Sequence, residues 1–294
     1  MADPIDLAVV PVAGHGTRLL PATKSQPKEM LPVGRKPVVQ YVVEELAQSG
    51  MSRLLFITGA SKTSIENHFD IDEGLVTYLR ESGREDELQQ LSFERREMEY
   101  FYTRQRRQLG LGHAVLCAKP LVGRQSFVVA LGDSIIGINA KSDIVQRMVE
   151  EFDRSQADIV VAFEEVPRAE VVRYGIASPK GQVGPSFELQ DLIEKPAVAE
   201  APSNLAVAAR YVFSPAIFDA LERTEPGKGG EIQLTDAIRI LLEEGAKGVG
   251  MCLSEDETRF DIGNYESYFK SFVEFALADP DHGDALKKHI AKLL

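Results

Sequence analysis

The stretch that decides the fold spans residues 7–32 and reads LAVVPVAGHGTRLLPATKSQPKEMLP. Residues 7–13 are apolar, rich in valine and too few for a typical helix, so they predict a strand that is covered on both faces. Such strands belong to parallel α/β sheets, in which ligands bind at the carboxyl ends of the strands. The residues that follow this strand are therefore the first candidates for a binding site.

Two glycines and two cations follow the strand. Gly14 and Gly16 lack a Cβ, so backbone N–H groups can approach an anion closely there. The guanidinium of Arg18 can donate bidentate hydrogen bonds to phosphate oxygens, and the ammonium of Lys28 can act as a mobile point charge. This combination suits a polyphosphate better than a neutral ligand. By itself, Gly-x-Gly indicates an ordinary strand-to-helix turn as readily as a phosphate-binding loop. No Gly-Lys-Ser/Thr follows, and Leu19 replaces the third glycine of the dinucleotide fingerprint, which disfavours an ATPase and a simple NAD site.

Composition limits the other classes of function. Hydrophobic residues make up 44% and charged residues 27% of the chain, and no apolar stretch approaches the roughly 20 residues that span a bilayer. The formal net charge of −12 disfavours nonspecific attraction to nucleic acid or anionic membranes. The basic cluster at 104–107 could suggest contact with RNA, but an exposed or substrate-facing edge beside a nucleotide site explains it more economically.

The chain start and the cysteines indicate a cytoplasmic protein. The first six residues contain no basic region that leads into an apolar segment, so no secretory signal is expected. Cys117 and Cys252 are far apart in sequence and form neither a metal-binding pattern nor a disulfide framework. Reduced, buried thiols in the cytoplasm are therefore expected.

Predicted helices and strands alternate along the chain. Apolar spacing predicts helices at 37–48, 61–69, 113–119 and 141–154, and another that begins at residue 231. Apolar runs predict strands at 53–58, 100–103, 126–131 and 158–163, followed by a β-rich excursion to residue 213. Residues 70–98 are charged and irregular, which predicts an exposed helical excursion. The alternation favours a doubly wound sheet over separate helical and all-β domains.

The opening stretch resembles that of the sugar-nucleotide pyrophosphorylases, and most of all that of the bacterial UTP–glucose-1-phosphate uridylyltransferases. The resemblance begins with GxGTR at 14–18 and PKEMLP at 27–32. It continues through YVVEE at 41–45, SIENHFD at 64–70, GLGHAV at 110–115, EKP at 194–196 and GEIQLTDAI at 230–238. It thus covers nearly the whole chain.

The resemblance implies an α/β fold with a doubly wound, mostly parallel, Rossmann-like sheet and a β-rich sugar-binding excursion. Residues 1–294 would form a single nucleotidyltransferase domain. Its nucleotide-binding part would cover about 1–135, its sugar-binding part about 136–265, and a C-terminal helical segment about 266–294.

The resemblance also assigns roles to individual residues. The nucleotide-binding residues would be Ala13, Gly14, Gly16, Thr17, Gln105 and Gly110. The amide of Gln105 would read the uracil edge and Gly110 would lie against the base; without the resemblance, Gln105 is simply an exposed loop residue. Arg18 and Lys28 would stabilise the triphosphate and the departing pyrophosphate.

The sugar side is assigned in the same way. The sugar-binding residues implied by the resemblance are Gly175, Glu194, Asn204 and Val207. Lys195 would hold the sugar phosphate, although Lys195-Pro196 could merely close a strand.

Two acids are the candidates for a magnesium site. Asp133 follows the predicted strand 126–131, where a carboxylate is either a turn former or, beside polyphosphate, a hard oxygen ligand for Mg²⁺. The resemblance favours the ligand and adds Asp261 as the second acid. The chain departs from the common pattern at Ser134, which weakens any claim to two adjacent acids, and at His15, which changes loop contacts without implying catalysis by histidine.

The implied reaction is reversible transfer of uridylyl from UTP to glucose 1-phosphate, which gives UDP-glucose and pyrophosphate. A related enzyme that uses dTTP or another sugar phosphate, and a noncatalytic regulatory homologue, remain as alternatives. The family resemblance suggests a homodimer or homotetramer with no nucleic-acid or membrane partner. A terminal helix with Leu286, Ile290 and Leu293–Leu294 on one side is a possible contact, unless it packs on its own sheet.

Overall fold

The computed structural model describes residues 4–95 and 97–293, so the predictions made for Met1–Asp3 and Leu294 lie outside the described residues. The strands are β1 Leu7–Pro11, β2 Pro32–Val33, β3 Lys36–Pro37, β4 Arg53–Thr58, β5 Glu99–Arg104, β6 Phe127–Ala130, β7 Ser134–Ile136, β8 Ile159–Glu165, β9 Gly175–Lys180, β10 Ser186–Glu194, β11 Leu205–Phe213, β12 Gly248–Cys252 and β13 Arg259–Asp261. The helices are α1 Val38–Gln48, α2 Thr63–Phe69, α3 Glu73–Glu81, α4 Leu111–Leu116, α5 Lys119–Val122, α6 Ile144–Ser155, α7 Ala216–Arg223, α8 Leu234–Glu243, α9 Tyr265–Leu277 and α10 Gly283–Ile290.

In the part of the chain that the structure describes, the main sheet has nine strands, in the order β5-β4-β1-β6-β11-β8-β12-β10-β9. Its first four strands are parallel, as are β8 and β12. In contrast, β11 is antiparallel to both β6 and β8, and β10 is antiparallel to β9 and β12. The sheet is therefore mixed rather than mostly parallel, which corrects the sequence prediction.

The mixture of parallel and antiparallel strands has a physical reason that the hydrophobic periodicity of the sequence does not reveal. A buried strand such as β11, with the sequence LAVAARYVF, is apolar whether its neighbours run parallel or antiparallel. Direction is set by the connections, because parallel neighbours need a crossover whereas antiparallel ones do not. Between β8 and β11 the chain forms the antiparallel pair β9 and β10, and β11 returns against β8.

Helices cover both faces of the sheet. On one face, side chains of α4, α7 and α8 pack against the strands in one buried cluster. On the other, α1, α2 and α6 form a second cluster. In β1, Leu7 and Val9 belong to the first cluster and Ala8 and Val10 to the second, so the predicted coverage of this strand on both faces is confirmed.

Most predicted elements occur within a few residues of their expected bounds, and the excursion at 70–98 is α3 followed by a 3-10 helix, Glu85–Arg95. Two predictions need correction. The helix expected from residue 231 begins at Leu234, because Gln233 is still extended. The helix expected at 113–119 begins at Leu111, ends at Leu116 and is followed by α5. Among residues 4–95 and 97–293, every helix is too short or too polar to span a bilayer.

A fully buried ion pair links three elements. The guanidinium of Arg210 on β11 donates to both carboxylate oxygens of Glu45 on α1, at 2.9 and 2.6 Å. It also donates to the backbone carbonyl oxygens of Ala209 and Ser134. Both charged side chains are 0% exposed, so α1, β11 and the start of β7 are joined inside the core.

Candidate active site

The loop after β1 holds a tight, glycine-dependent conformation. Gly16 has φ = 66°, a left-handed conformation that glycine adopts without the steric cost of a side chain. The Thr23 hydroxyl donates to the Gly16 carbonyl oxygen at 2.7 Å. A Cβ on Gly16 would come within 3.2 Å of the Thr23 methyl carbon. The chain then enters a 3-10 helix, Thr17–Leu19, which leaves Arg18 exposed.

This loop lines a cavity of about 640 Å³. The cavity is also lined by predicted residues from four other segments, so most of the predicted site comes together here. The predicted residues around it are Ala13, Gly14, Gly16, Thr17, Arg18, Lys28, Gln105, Gly110, Asp133, Glu194 and Lys195. His15 lines the same cavity.

A second cavity of about 340 Å³ adjoins the first. It adds the predicted residues Gly175, Val207 and Asp261. The two cavities share Arg18, Leu111, Leu131, Asp133, Glu194, Lys195 and Gln233, so they form one continuous cleft. Asn204 lines neither cavity; its backbone carbonyl instead accepts a hydrogen bond from Val166 N at 3.0 Å.

The floor of the cleft holds an ion pair between Lys28 and Asp133. Burial alone would lower the pKa of Lys28. The negative charges of Asp133 and Glu29 outweigh this effect, so the pKa of Lys28 is raised above its ordinary value. Burial would also raise the pKa of Asp133, but Lys28 lowers it through charge and hydrogen bonding. Both groups therefore stay charged at neutral pH.

Strand pairing brings the two candidate acids together. In the small sheet formed by β7 and β13, Asp261 is opposite Ser134, and Ile262 N donates to the Asp133 carbonyl oxygen at 3.0 Å. Burial and the negative charge of Asp133 raise the pKa of Asp261. Arg259 lies 3.8 Å from the Asp261 carboxylate and opposes this rise.

The oxygen atoms here fit a magnesium site. Two mutually repelling carboxylates suit a hard cation, and Mg²⁺ commonly combines one or two protein carboxylates with substrate phosphates. The buried hydroxyl of Ser134, which lines the same cleft, has no hydrogen-bond partner in the described part of the chain. Within residues 4–95 and 97–293, no group of three or more His, Cys, Asp or Glu side chains is placed to hold a metal, so substrate oxygens would have to complete any coordination.

At the other end of the cleft, Gln105 and Gly110 lie side by side. The Gln105 amide nitrogen donates to the Gly110 carbonyl oxygen at 3.0 Å and lies 2.9 Å from His113 Nδ1. Gln105 is buried at 6% exposure, so it is not the exposed loop residue that its sequence alone suggests. Gly110 has φ = 101°, and a Cβ there would come within 2.7 Å of the Ile232 carbonyl oxygen.

The sugar-side residues form a compact group. The Thr235 hydroxyl donates to Glu194 Oε2 at 2.8 Å. A Cβ on Gly175 would lie within 3.4 Å of Thr235, Val207 and Glu194 together. Lys195 follows with φ = 46° and places its Nζ 3.0 Å from Glu194 Oε1. The EKP segment therefore does more than end strand β10, because both charged side chains line the cleft.

Sequence reasoning missed several residues of the cleft. Arg259 stacks over the Tyr174 ring at 4.9 Å and pairs with Glu164. Thr235 belongs to the GEIQLTDAI motif, from which no site residue is predicted, and Gln108 donates to the Ala13 carbonyl oxygen at 2.6 Å. Only Thr235 could have been found from its motif, because the partners of Arg259 and Gln108 are distant in sequence.

Comparison with known proteins identifies the family. The nucleotidyl transferase family model matches residues 7–276. The chain belongs to the nucleotidyl transferase family. One relative is the UTP–glucose-1-phosphate uridylyltransferase of Staphylococcus epidermidis strain RP62A, which is 38% identical over 98% of both chains.

Two solved structures of the family are also similar to this chain. The UTP-bound UGPase from Acinetobacter baumannii is 38% identical and superposes with a TM-score of 0.90 over 99% of this chain and 100% of its own. A UDP-glucose pyrophosphorylase complexed with UDP-glucose is 34% identical, with a TM-score of 0.84 over 94% of this chain and 100% of its own. The nucleotidyltransferase fold with mixed α/β content is thus confirmed.

Proposed function

We propose that this chain transfers uridylyl from UTP to glucose 1-phosphate and releases UDP-glucose and pyrophosphate. The observation that carries the proposal is the continuous cleft, in which the glycine loop, the Gln105–Gly110 pair and the Glu194–Lys195 pair line adjoining cavities. The similarity to a UTP-bound UGPase and to a UDP-glucose complex supports the same substrates.

The chemistry needs no protein nucleophile, because the sugar phosphate brings its own. An oxygen of glucose 1-phosphate attacks the α-phosphorus of UTP, the new P–O bond forms, and the bond to pyrophosphate breaks on the opposite side. Catalysis then consists of positioning the two anions and stabilising the charge that moves to the leaving group. Arg18 and Lys28 serve the triphosphate end, and Lys195 holds the sugar phosphate.

The base and the sugar are held at opposite ends of the cleft. Gln105 offers an amide to the uracil edge, while Ala13, Gly14, Gly16, Thr17 and Gly110 supply backbone along the nucleotide. Glu194 can accept hydrogen bonds from glucose hydroxyls, and Gly175 leaves room for the ring beside Val207. Asn204 was expected among the sugar ligands, but its place outside the cleft argues for a structural role.

Asp133 and Asp261 would hold Mg²⁺ together with substrate phosphates. The ion would supply positive charge that offsets the repulsion between the two phosphate groups. Asp133→Asn and Asp261→Asn each delete one negative charge with little change in size, so each should sharply reduce magnesium-supported turnover. The measurement is pyrophosphate release against magnesium concentration; normal rates and normal magnesium dependence in both variants would contradict the assignment.

A substrate panel tests the proposed function directly. The purified protein is offered each nucleoside triphosphate with glucose 1-phosphate, and then UTP with alternative sugar phosphates, while product mass is recorded. We expect the pair of UTP and glucose 1-phosphate to be preferred. A clear preference for dTTP would replace the proposed substrate, and absence of any product would favour a noncatalytic homologue.

We also propose a cytoplasmic homodimer or homotetramer. Cys117 and Cys252 are both free, which is compatible with a reducing compartment. Helix α10 is mostly exposed, and an apolar face on α9 is a second candidate contact, with Phe269 at 58% and Val273 at 44% exposure. Light scattering at working concentration would overturn the assembly if it detected monomer alone.

A further inference from the structure

A third cavity, of about 410 Å³, lies beside the nucleotide end of the cleft. It is lined by three arginines and two residues of the following helical segment: Arg104, Arg106, Arg107, His113 and Cys117. Arg104 is the last residue of β5, and Arg106 and Arg107 belong to the loop that leads to α4. All three arginines are exposed, so their guanidinium groups are open to solvent and to a ligand.

These three guanidinium groups differ from most others in the protein. Arginines elsewhere, such as Arg35, Arg53 and Arg147, form ion pairs with carboxylates. In the described part of the chain, no carboxylate pairs with Arg104, Arg106 or Arg107. Since the whole protein carries a net charge of −12, three unpaired cations around one concavity form a local positive site on an acidic molecule.

The cavity is separate from the substrate cleft. None of its five lining residues lines either cavity of the cleft. The contact between Gln105 and His113 forms part of the wall between them, because Gln105 lines the cleft and His113 lines the third cavity. Burial lowers the pKa of His113, so the ring is neutral at pH 7. Its Nδ1 faces the Gln105 amide, and Nε2 has no partner among the described residues.

We propose that this third cavity is a binding site for a small, multiply charged phosphate anion, distinct from the nucleotide cleft. Guanidinium groups bind phosphate oxygens in a bidentate manner, and three of them favour several negative charges over one. The neutral His113 ring supplies one further N–H donor. The cavity volume is in the range of small-molecule sites.

The geometry favours a small ligand over nucleic acid. Binding of an RNA backbone needs a basic surface that extends over several phosphates. Here the basic residues surround one concavity, and the rest of the protein is strongly acidic. RNA is therefore an outcome of the test rather than the proposed ligand.

The test measures binding of inorganic tripolyphosphate to the whole protein by calorimetry, with EDTA present so that no turnover occurs. Three proteins are compared: the wild type, the Arg106→Gln/Arg107→Gln variant, and an Arg80→Gln/Arg124→Gln control. The control changes the net charge equally at two exposed arginines outside the cavity. Each titration is repeated with saturating UTP, which separates binding in the cleft from binding in the third cavity.

We expect the Arg106→Gln/Arg107→Gln variant to lose at least about 10-fold in affinity for tripolyphosphate, while the control keeps wild-type affinity. Equal affinity in all three proteins would overturn the site. Binding of a single-stranded RNA of about 12 nucleotides without binding of tripolyphosphate would overturn the small-ligand assignment. Should the double variant fail to fold, Arg104→Gln serves in its place.

A measurement of turnover without tripolyphosphate tests this proposal independently of the proposed function. Because the third cavity lies outside the cleft, the Arg106→Gln/Arg107→Gln variant should keep the turnover of the control within about 2-fold. A loss of more than about 10-fold, confined to this variant, would place the guanidinium groups in the substrate site and overturn the separation. Inactivity of all three proteins would count against the proposed function alone, since the binding comparison does not depend on turnover.

Discussion

Arg18 is an exposed cation that lines both cavities of the cleft. Its guanidinium lies next to Gly263, where a Cβ would come within 3.2 Å of Nη2. Because Arg18 is exposed, Arg18→Ala should leave the melting temperature unchanged. Removal of one preorganised donor to the developing charge should lower kcat by about 10²–10³-fold.

The assay for Arg18→Ala is pyrophosphate release with UTP and glucose 1-phosphate, and Arg124→Ala is the matched control. Arg124 is an exposed arginine outside the cleft, so its loss should not affect turnover. Near-normal kcat in Arg18→Ala would remove this residue from the catalytic machinery.

Asp261 makes stability depend on pH in a predictable direction. Burial and Asp133 raise its pKa above 3.8, so the folded protein binds a proton at Asp261 more tightly than the unfolded chain does. Its contribution to stability is therefore complete below the unfolded-state pKa and is lost as pH rises through the folded-state pKa. Relative to Asp261→Asn, the wild type should therefore become less stable as the pH rises from the unfolded-state pKa to the folded-state pKa of Asp261.

Urea unfolding of the wild type and Asp261→Asn between about pH 4 and pH 7, without magnesium, measures this difference. Asp133→Asn removes the neighbouring negative charge, so in that background the pH at which the difference develops should move down. A constant difference between the two proteins at every pH would show that Asp261 titrates alike in the folded and unfolded states.

At the scale of elements, the first turn of α8 orients the end of β10. The only bond to Glu194 Oε2 in the described contacts is the one from Thr235, at 2.8 Å. Thr235→Val keeps the shape and removes this donor to a charged group, which is worth about 1.5 kcal/mol or roughly 10-fold. We expect the KM for glucose 1-phosphate to rise by about that factor while the KM for UTP stays within about 2-fold.

Steady-state kinetics with each substrate varied in turn distinguishes this role from a general loss of structure. Thr63→Val, at an exposed position of α2, is the control and should change neither constant. Equal increases in both KM values would indicate that Thr235 supports the fold rather than the sugar end of the cleft.

Sequence alone predicted the cleft-lining residues that belong to local motifs. The glycine loop and Asp133 follow buried strands directly, so their position at one sheet edge could be inferred from periodicity. The antiparallel direction of β11 could not, because its apolar pattern is the same in either orientation. Arg259 could not be found either, since its role depends on Glu164 and Tyr174, which lie far away in sequence.

At the scale of the whole molecule, the Glu45–Arg210 pair joins a helix of one face to the centre of the sheet. Glu45→Gln leaves the guanidinium buried without its counterion, so it should reduce the free energy of unfolding by about 3–5 kcal/mol. The double variant Glu45→Leu/Arg210→Met removes both charges and should be more stable than Glu45→Gln.

Denaturant unfolding of the wild type, Glu45→Leu, Arg210→Met and the double variant Glu45→Leu/Arg210→Met gives the coupling energy between the two residues. Lys270→Gln and Glu266→Gln form an exposed control pair, for which the coupling should be below about 1 kcal/mol. Additive losses at Glu45 and Arg210 would mean that each side chain acts through other contacts.

The position of β11 in the sheet also constrains how the chain can fold during synthesis. Strand β11 lies between β6 and β8, yet both neighbours precede it in the chain by some 40 residues or more. A nascent chain that ends before residue 205 therefore exposes two strand edges at once, in the middle of the future sheet rather than at its rim. Ribosome-bound chains of this length should depend on chaperones and aggregate on release, whereas chains that extend past β12 should not.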